Sequence, residues 1–191
     1  MRIFGVLFGA IVSAFLLSAP ARAEKLDVSI VTCQQLTDAL DHGSKDDQFG
    51  MGVILYWIAG YSGTDEQATI IDFGAMKTDF EKIVAQCREQ PKVGVLTMAA
   101  KFLGENATPQ GKDAIDIATI TCEKVLNTDK KDEEGLSLIL MWLAGYHASV
   151  NNDMVFDSEV FEESVNNIGQ YCTENTGVGF FTAAQKYMTA E

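Results

Sequence analysis

Apolar residues recur every three or four positions through most of this chain, the spacing of helices packed by one face, and no stretch shows the period-two alternation of a half-buried strand. The clearest stripe is Phe73, Met76, Phe80, Ile83, Val84 and Cys87, with Lys77, Glu81, Lys82 and Arg88 filling the other face. Phe161, Val165, Ile168 and Cys172 repeat it. Asp72 and Asp157 stand before these stripes, where a carboxylate accepts from the free N–H groups of a first helical turn, and both are predicted N-caps. Thr32 and Thr121 are predicted to cap helices from Cys33 to about Leu40 and from Cys122 to about Leu126. A last helix in each half carries Val95, Leu96, Ala99, Phe102 and Leu103, or Phe180, Phe181, Ala184 and Tyr187. Pro91 lies where a helix start tolerates proline.

Two further segments are apolar nearly all round, the mark of a buried helix. One contains Tyr56-Trp57-Ile58-Ala59-Gly60-Tyr61 and the other Met141-Trp142-Leu143-Ala144-Gly145-Tyr146. Acids lead into each, Asp46 and Asp47 or Asp132 to Glu134, which suits a helix N-terminus. Gly60 and Gly145 either allow close packing or begin the exit from the helix. Cys87 and Cys172 each follow their tryptophan by thirty residues, and Asp27-Val28-Ser29-Ile30-Val31-Thr32-Cys33 is echoed by Asp116-Ile117-Ala118-Thr119-Ile120-Thr121-Cys122. The chain is therefore two copies of one unit. The offset between copies falls from 89 to 85 at the polar loop Asp41 to Asp47, whose shorter counterpart runs from Asn127 to Glu134. The expected fold is all-α: two tandem small helical bundles, about four helices each, spanning 24–105 and 106–191 with a linker over 104–112.

The N-terminus changes the picture of where the protein works. Arg2, an apolar run from Ile3 to Leu17 and the small-residue site Ala21-Arg22-Ala23 predict a signal peptide over residues 1–23, cut before Glu24. Export in turn implies oxidised cysteines. Four cysteines allow three pairings, and the repeat selects one per copy, Cys33–Cys87 and Cys122–Cys172. Loops of that length are each worth roughly 4 kcal/mol on the chain-entropy account.

Charge excludes several partners. Loss of Arg2 and Arg22 leaves 12 basic and 27 acidic side chains, or −15, and no Lys or Arg lies between Asp132 and Gln185. Such a surface disfavours nucleic acid and anionic membrane, and no later stretch is apolar enough for insertion after cleavage. No nucleophile, zinc or phosphate-loop motif occurs, so no catalytic, metal or cofactor site is expected. His42 and His147 read as surface residues, and Asp46-Asp47 and Glu162-Glu163 as solvated.

A unit of this size with Thr-Cys near its start, a Trp-Ile/Leu-Ala-Gly-Tyr centre and one later cysteine resembles the periplasmic acid-stress chaperones of the HdeA/HdeB type, from Thr32 to about Phe102 and from Thr121 to about Tyr187. The resemblance implies a periplasmic protein that is folded and inactive at neutral pH. In strong acid it would loosen and hold unfolded or acid-denatured client proteins in solution. The implied client-binding residues, core at neutral pH, are Ile54, Leu55, Trp57, Ile58, Tyr61, Ile139, Leu140, Trp142, Leu143 and Tyr146. The resemblance also implies homodimers that dissociate in acid. Fusion of two units suggests that intramolecular packing of one repeat on the other replaces the homodimer. Below about pH 3 the carboxylates are neutral, and the mature chain swings from −15 toward +14 or +15. An alternative reading is an exported immunity protein neutralising a toxin, and a third is a non-catalytic envelope-binding module.

Overall fold

The computed structural model describes residues 25–63, 69–103, 111, 114–129 and 132–188; the expected signal peptide and most of the linker lie outside them. In the first repeat strand β1 (Lys25–Asp27) and a 3-10 turn (Val28–Ile30) lead to helices α1 (Cys33–His42) and α2 (Lys45–Ser62). Strand β2 (Ile70–Asp72) and helices α3 (Phe73–Glu89) and α4 (Val95–Ala99) complete it. The second repeat matches it element for element: β3 (Ala114–Asp116), a 3-10 turn (Ile117–Thr119), α5 (Cys122–Leu126), α6 (Glu133–Val150), β4 (Val155–Asp157), α7 (Ser158–Glu174) and α8 (Phe180–Tyr187). The protein is helical, with one disulfide per repeat: Cys33–Cys87 and Cys122–Cys172 join Cα atoms 4.7 and 4.8 Å apart. Among the described residues no helix is long and apolar enough to cross a membrane.

Local chemistry explains where the helices begin. Thr32 accepts from the Gln35 amide at 3.3 Å while Gln35 Oε1 accepts from the Thr32 amide at 2.8 Å, a reciprocal cap that starts α1. Ser44 and Asp47 form the same box at 3.2 and 2.9 Å and start α2 at once. The polar loop expected over Asp41 to Asp47 thus shrinks to Gly43 and Ser44, because α1 runs through His42 and the second box opens at Ser44. Asp72 and Asp157 cap α3 and α7. The fourth helix of the first repeat is shorter than expected. Phe102 and Leu103 lie in turns beyond α4, and Pro91 sits in the turn before it, its carbonyl accepting from the Gln34 amide at 2.9 Å.

The four short strands differ from expectation, and they join the two repeats. β1 pairs antiparallel with β4, Leu26 opposite Phe156, and β2 pairs with β3, Ile71 opposite Ile115. The Val28 amide reaches the Met154 carbonyl and the Ile117 amide reaches that of Thr69, both at 2.8 Å. Each repeat therefore lends its first strand to the other. Three residues are too few to display an alternation, and the partner of each lies in the other copy.

Two cores result. One gathers Val28, Leu36, Trp57, Ile58, Ile83 and Met98, the other Ile117, Leu143, Ile168, Phe180 and Ala183. Burying a side chain such as Ile58 or Leu143 contributes about 1.5–3 kcal/mol. Neither core is made by one repeat alone: Met141 enters the first, and Ala59, Ile71 and Met76 enter the second.

Candidate functional site

The site the sequence points to is the pair of tryptophan helices, and the structure packs α2 against α6 along their length. Glycine makes the approach possible. A Cβ on Gly60 would stand 1.8 Å from the Trp142 carbonyl oxygen, and one on Gly145 would stand 1.9 Å from that of Trp57. Both glycines lie inside their helices, so they serve close packing and not helix exit. The contact is reciprocal, each repeat offering the same residues, as in an isologous interface.

Around this crossing lie the ten residues singled out from the sequence. Ile54, Leu55, Trp57, Ile58, Ile139, Leu140, Trp142, Leu143 and Tyr146 are buried, and Tyr61 is half-buried. Tyr61 stacks on Trp57 with ring centres 5.2 Å apart, and Tyr146 stacks on Trp142 at 5.6 Å. In this closed form the ten residues offer no open groove. Their chemistry is that of a large aliphatic and aromatic surface covered by itself, with the exposed acids Asp46, Asp47 and Glu134 at the helix entries.

Three features near the crossing were not read from the sequence. First, Tyr56, Phe73, Phe80, Val84 and Leu138 line a surface cleft of about 700 Å³ edged by Lys77, Glu81 and Arg88. Tyr56 meets Phe80 edge-on at 5.1 Å, and burial, with Glu134 nearby, raises its hydroxyl pKa. Second, Asp79 is buried in α3 with Lys82 Nζ 2.9 Å away, whereas the second repeat has buried Ser164 at that position, donating to the Val160 carbonyl at 2.8 Å. Third, His147 is 5% exposed, its Nε2 has no hydrogen-bond partner among the described residues, and the Tyr146 ring stands edge-on to it at 5.5 Å. Burial holds its pKa below 6.5. The surface reading of His147 is therefore corrected, while His42 is exposed. The missed signal was that α6 continues apolar past Gly145 to Val150, placing His147 inside a buried helix.

Ion pairs fix the flanks. Arg88 donates to Asp41 at 2.7 and 3.3 Å, tying α1 to α3 beside the Cys33–Cys87 bridge. The Arg88 hydrogen bonds hold the Asp41 carboxyl below 3.8, and the Ser44 hydroxyl and amide do the same for Asp47. Lys25 lies 3.0 Å from Asp157 across the β1–β4 ribbon. Burial would raise the pKa of Asp157, but Lys25 and the Val160 and Glu159 amides outweigh it and the net shift is downward.

No curated protein and no solved structure matches the chain. The HdeA/HdeB family model does match, once over residues 4–97 and again over 93–181. That family is associated with periplasmic acid-stress chaperones. With the motif, the disulfide and the helical unit each present twice, the chain belongs to the HdeA/HdeB family and carries two tandem copies of its unit.

Proposed function

We propose that this protein is an acid-activated holdase of the periplasm, and that the α2–α6 contact is its own covalently linked counterpart of a dimer interface. The observation that carries the reading is the burial of the two most apolar helices against each other, at Gly60 and Gly145, in a chain whose mature form is strongly acidic. At neutral pH that surface is covered. Acid acts in two ways. Asp41, Asp47 and Asp157 have lowered pKa values, so their stabilisation is present above 3.8 and is lost as pH falls through their folded values. Neutralising the carboxylates also leaves about fourteen positive charges that repel one another. The disulfides keep each unit collapsed while α2 and α6 part, and the uncovered faces around Trp57 and Trp142 take up unfolded clients.

The test is aggregation of an acid-labile client followed by light scattering at pH 7 and pH 2. Suppression confined to acid is expected, with a tryptophan-emission midpoint that does not move on hundredfold dilution, because separation within one chain is independent of concentration. A dilution-dependent midpoint would assign activation to a further oligomer. Absence of protection at pH 2, with tight stoichiometric binding of a basic secreted toxin at pH 7, would favour the immunity reading.

A further inference from the structure

The two repeats share one architecture, but they are not held shut by the same groups. The first is fastened by charges that survive to low pH: Arg88 bridges α1 and α3 through Asp41, and the Ser44–Asp47 box anchors the start of α2. Among the described residues the second shows neither. Position 173, the counterpart of Arg88, is threonine, and the counterpart of Asp41 falls where the second copy is four residues shorter. Helix α5 has five residues against ten in α1, and Asp132 makes no side-chain bond to the first turn of α6. A void of about 20 Å³ lies in the second core, lined by Val125, Leu140, Ile168 and Phe180 among others. Finally, the second repeat contains buried His147, whose counterpart in the first is Ser62.

From these differences we propose that His147 is the proton sensor of the molecule and that the second repeat opens in acid before the first. This rests on the acid-response reading above and adds to it an order and a residue. A buried imidazole with an unpartnered Nε2 is tolerated only while neutral, because its cation would place a charge and a second N–H in an apolar site. Protons must therefore drive the open form. Charged groups do not offset this. On α6 itself Glu133 and Glu134 stand at the opposite end, about 20 Å away by helix rise. Helix α2, packed along α6, carries Lys45, Asp46 and Asp47 in its own first turn and then only Tyr56 and Tyr61 as titratable groups. Beyond the C-terminus of α6, Asp153 accepts from the Val155 amide, and Lys186 of α8 lies over the Tyr171 and Tyr187 rings.

The sign follows from the direction of the shift. His147 has a folded pKa below its unfolded value, so its neutral form costs nothing above about 6.5, and stability is lost as pH falls from there to the folded value. The fasteners of the first repeat weaken only below 3.8. The imidazole therefore acts at higher pH than the carboxylates, and it acts on one repeat.

Hydrogen exchange of the oxidised mature protein from pH 7 to 2, corrected for intrinsic rates, resolves the two halves without altering either tryptophan. Peptides of α6, α7 and α8 are expected to lose protection at least one pH unit above those of α1 and α3. In His147→Leu and His147→Gln the two losses should coincide near the lower pH. Simultaneous loss in the wild type, or an unchanged order in both variants, would overturn the proposal. Client protection in the same pH series separates the readings. Ordered opening without protection removes the chaperone function alone, whereas protection with simultaneous opening removes the sensor alone.

Discussion

Replacing Gly60 with alanine should destabilise the closed form, although alanine is the better helix former by about 1 kcal/mol. The new Cβ would lie 1.8 Å from the Trp142 carbonyl oxygen, 2.8 Å from its carbon and 2.9 Å from the Tyr146 nitrogen, where ordinary contact begins at 3.4 Å. These are backbone atoms of a helix interior and cannot rotate away, so α2 and α6 must part by roughly 1.5 Å. A gap of about 0.5–1 Å already forfeits a quarter to a half of a dispersion contact, so this parting strips most of the attraction between the facing side chains. Overpacking costs about 1–3 kcal/mol when side chains can adjust and more when they cannot. Subtracting the helix-propensity gain leaves a net loss of about 2–3 kcal/mol. With a urea slope of about 2 kcal/mol/M, the unfolding midpoint at pH 7 should fall by roughly 1–1.5 M. Gly145→Ala should behave alike, and the double variant should cost less than the sum, because one displacement relieves both clashes. Gly52→Ala is the control. It lies in the same helix with nothing within 4 Å, so it should stabilise by about 1 kcal/mol. If Gly60→Ala raises the midpoint as Gly52→Ala does, the helices do not meet at Gly60 and the argument fails.

Other outcomes follow from the same structure. Non-reducing peptide maps should show only Cys33–Cys87 and Cys122–Cys172, and Cys87→Ala or Cys172→Ala should each lower stability by roughly 4 kcal/mol for closed loops of 54 and 50 residues. Arg88→Gln should lower the urea midpoint at pH 7 but not near pH 2. Asp41 has a lowered pKa, so the pair contributes above 3.8 and fades as the carboxyl is protonated; a midpoint difference that persists in acid would locate the effect elsewhere. Protein recovered from the periplasm should begin at Glu24 by mass spectrometry, and an intact Met1 on membrane-bound material would contradict cleavage.

Much of the fold was legible because its determinants are local or periodic. Thr32 and Thr121 cap the helices they precede, Asp72 and Asp157 cap the long amphipathic ones, and the repeated spacing paired the cysteines within each copy. The nearly uniform apolar character of the tryptophan segments announced burial on all sides, and Trp57 and Trp142 are buried. Periodicity records that a face is covered; it does not record what covers it.

What covers each face was decided by tertiary structure. The exchange of β1 and β3 between repeats could not be read, because three-residue strands carry no pattern and their partners lie in the other copy. The role of Gly60 and Gly145 depended on which backbone stood opposite, since a glycine serves helix exit and helix crossing equally well in sequence. His147 looked like a surface residue because its polarity argues for water, and only the packing of neighbouring elements removed that water. In this protein, then, the sequence by itself determined which segments are helices, where those behind Thr32, Asp72, Thr121 and Asp157 start, and which cysteines join. The three-dimensional packing decided that two repeats complete each other's cores, and left one imidazole enclosed with an unpaired nitrogen, because both depend on contacts between residues far apart in the chain.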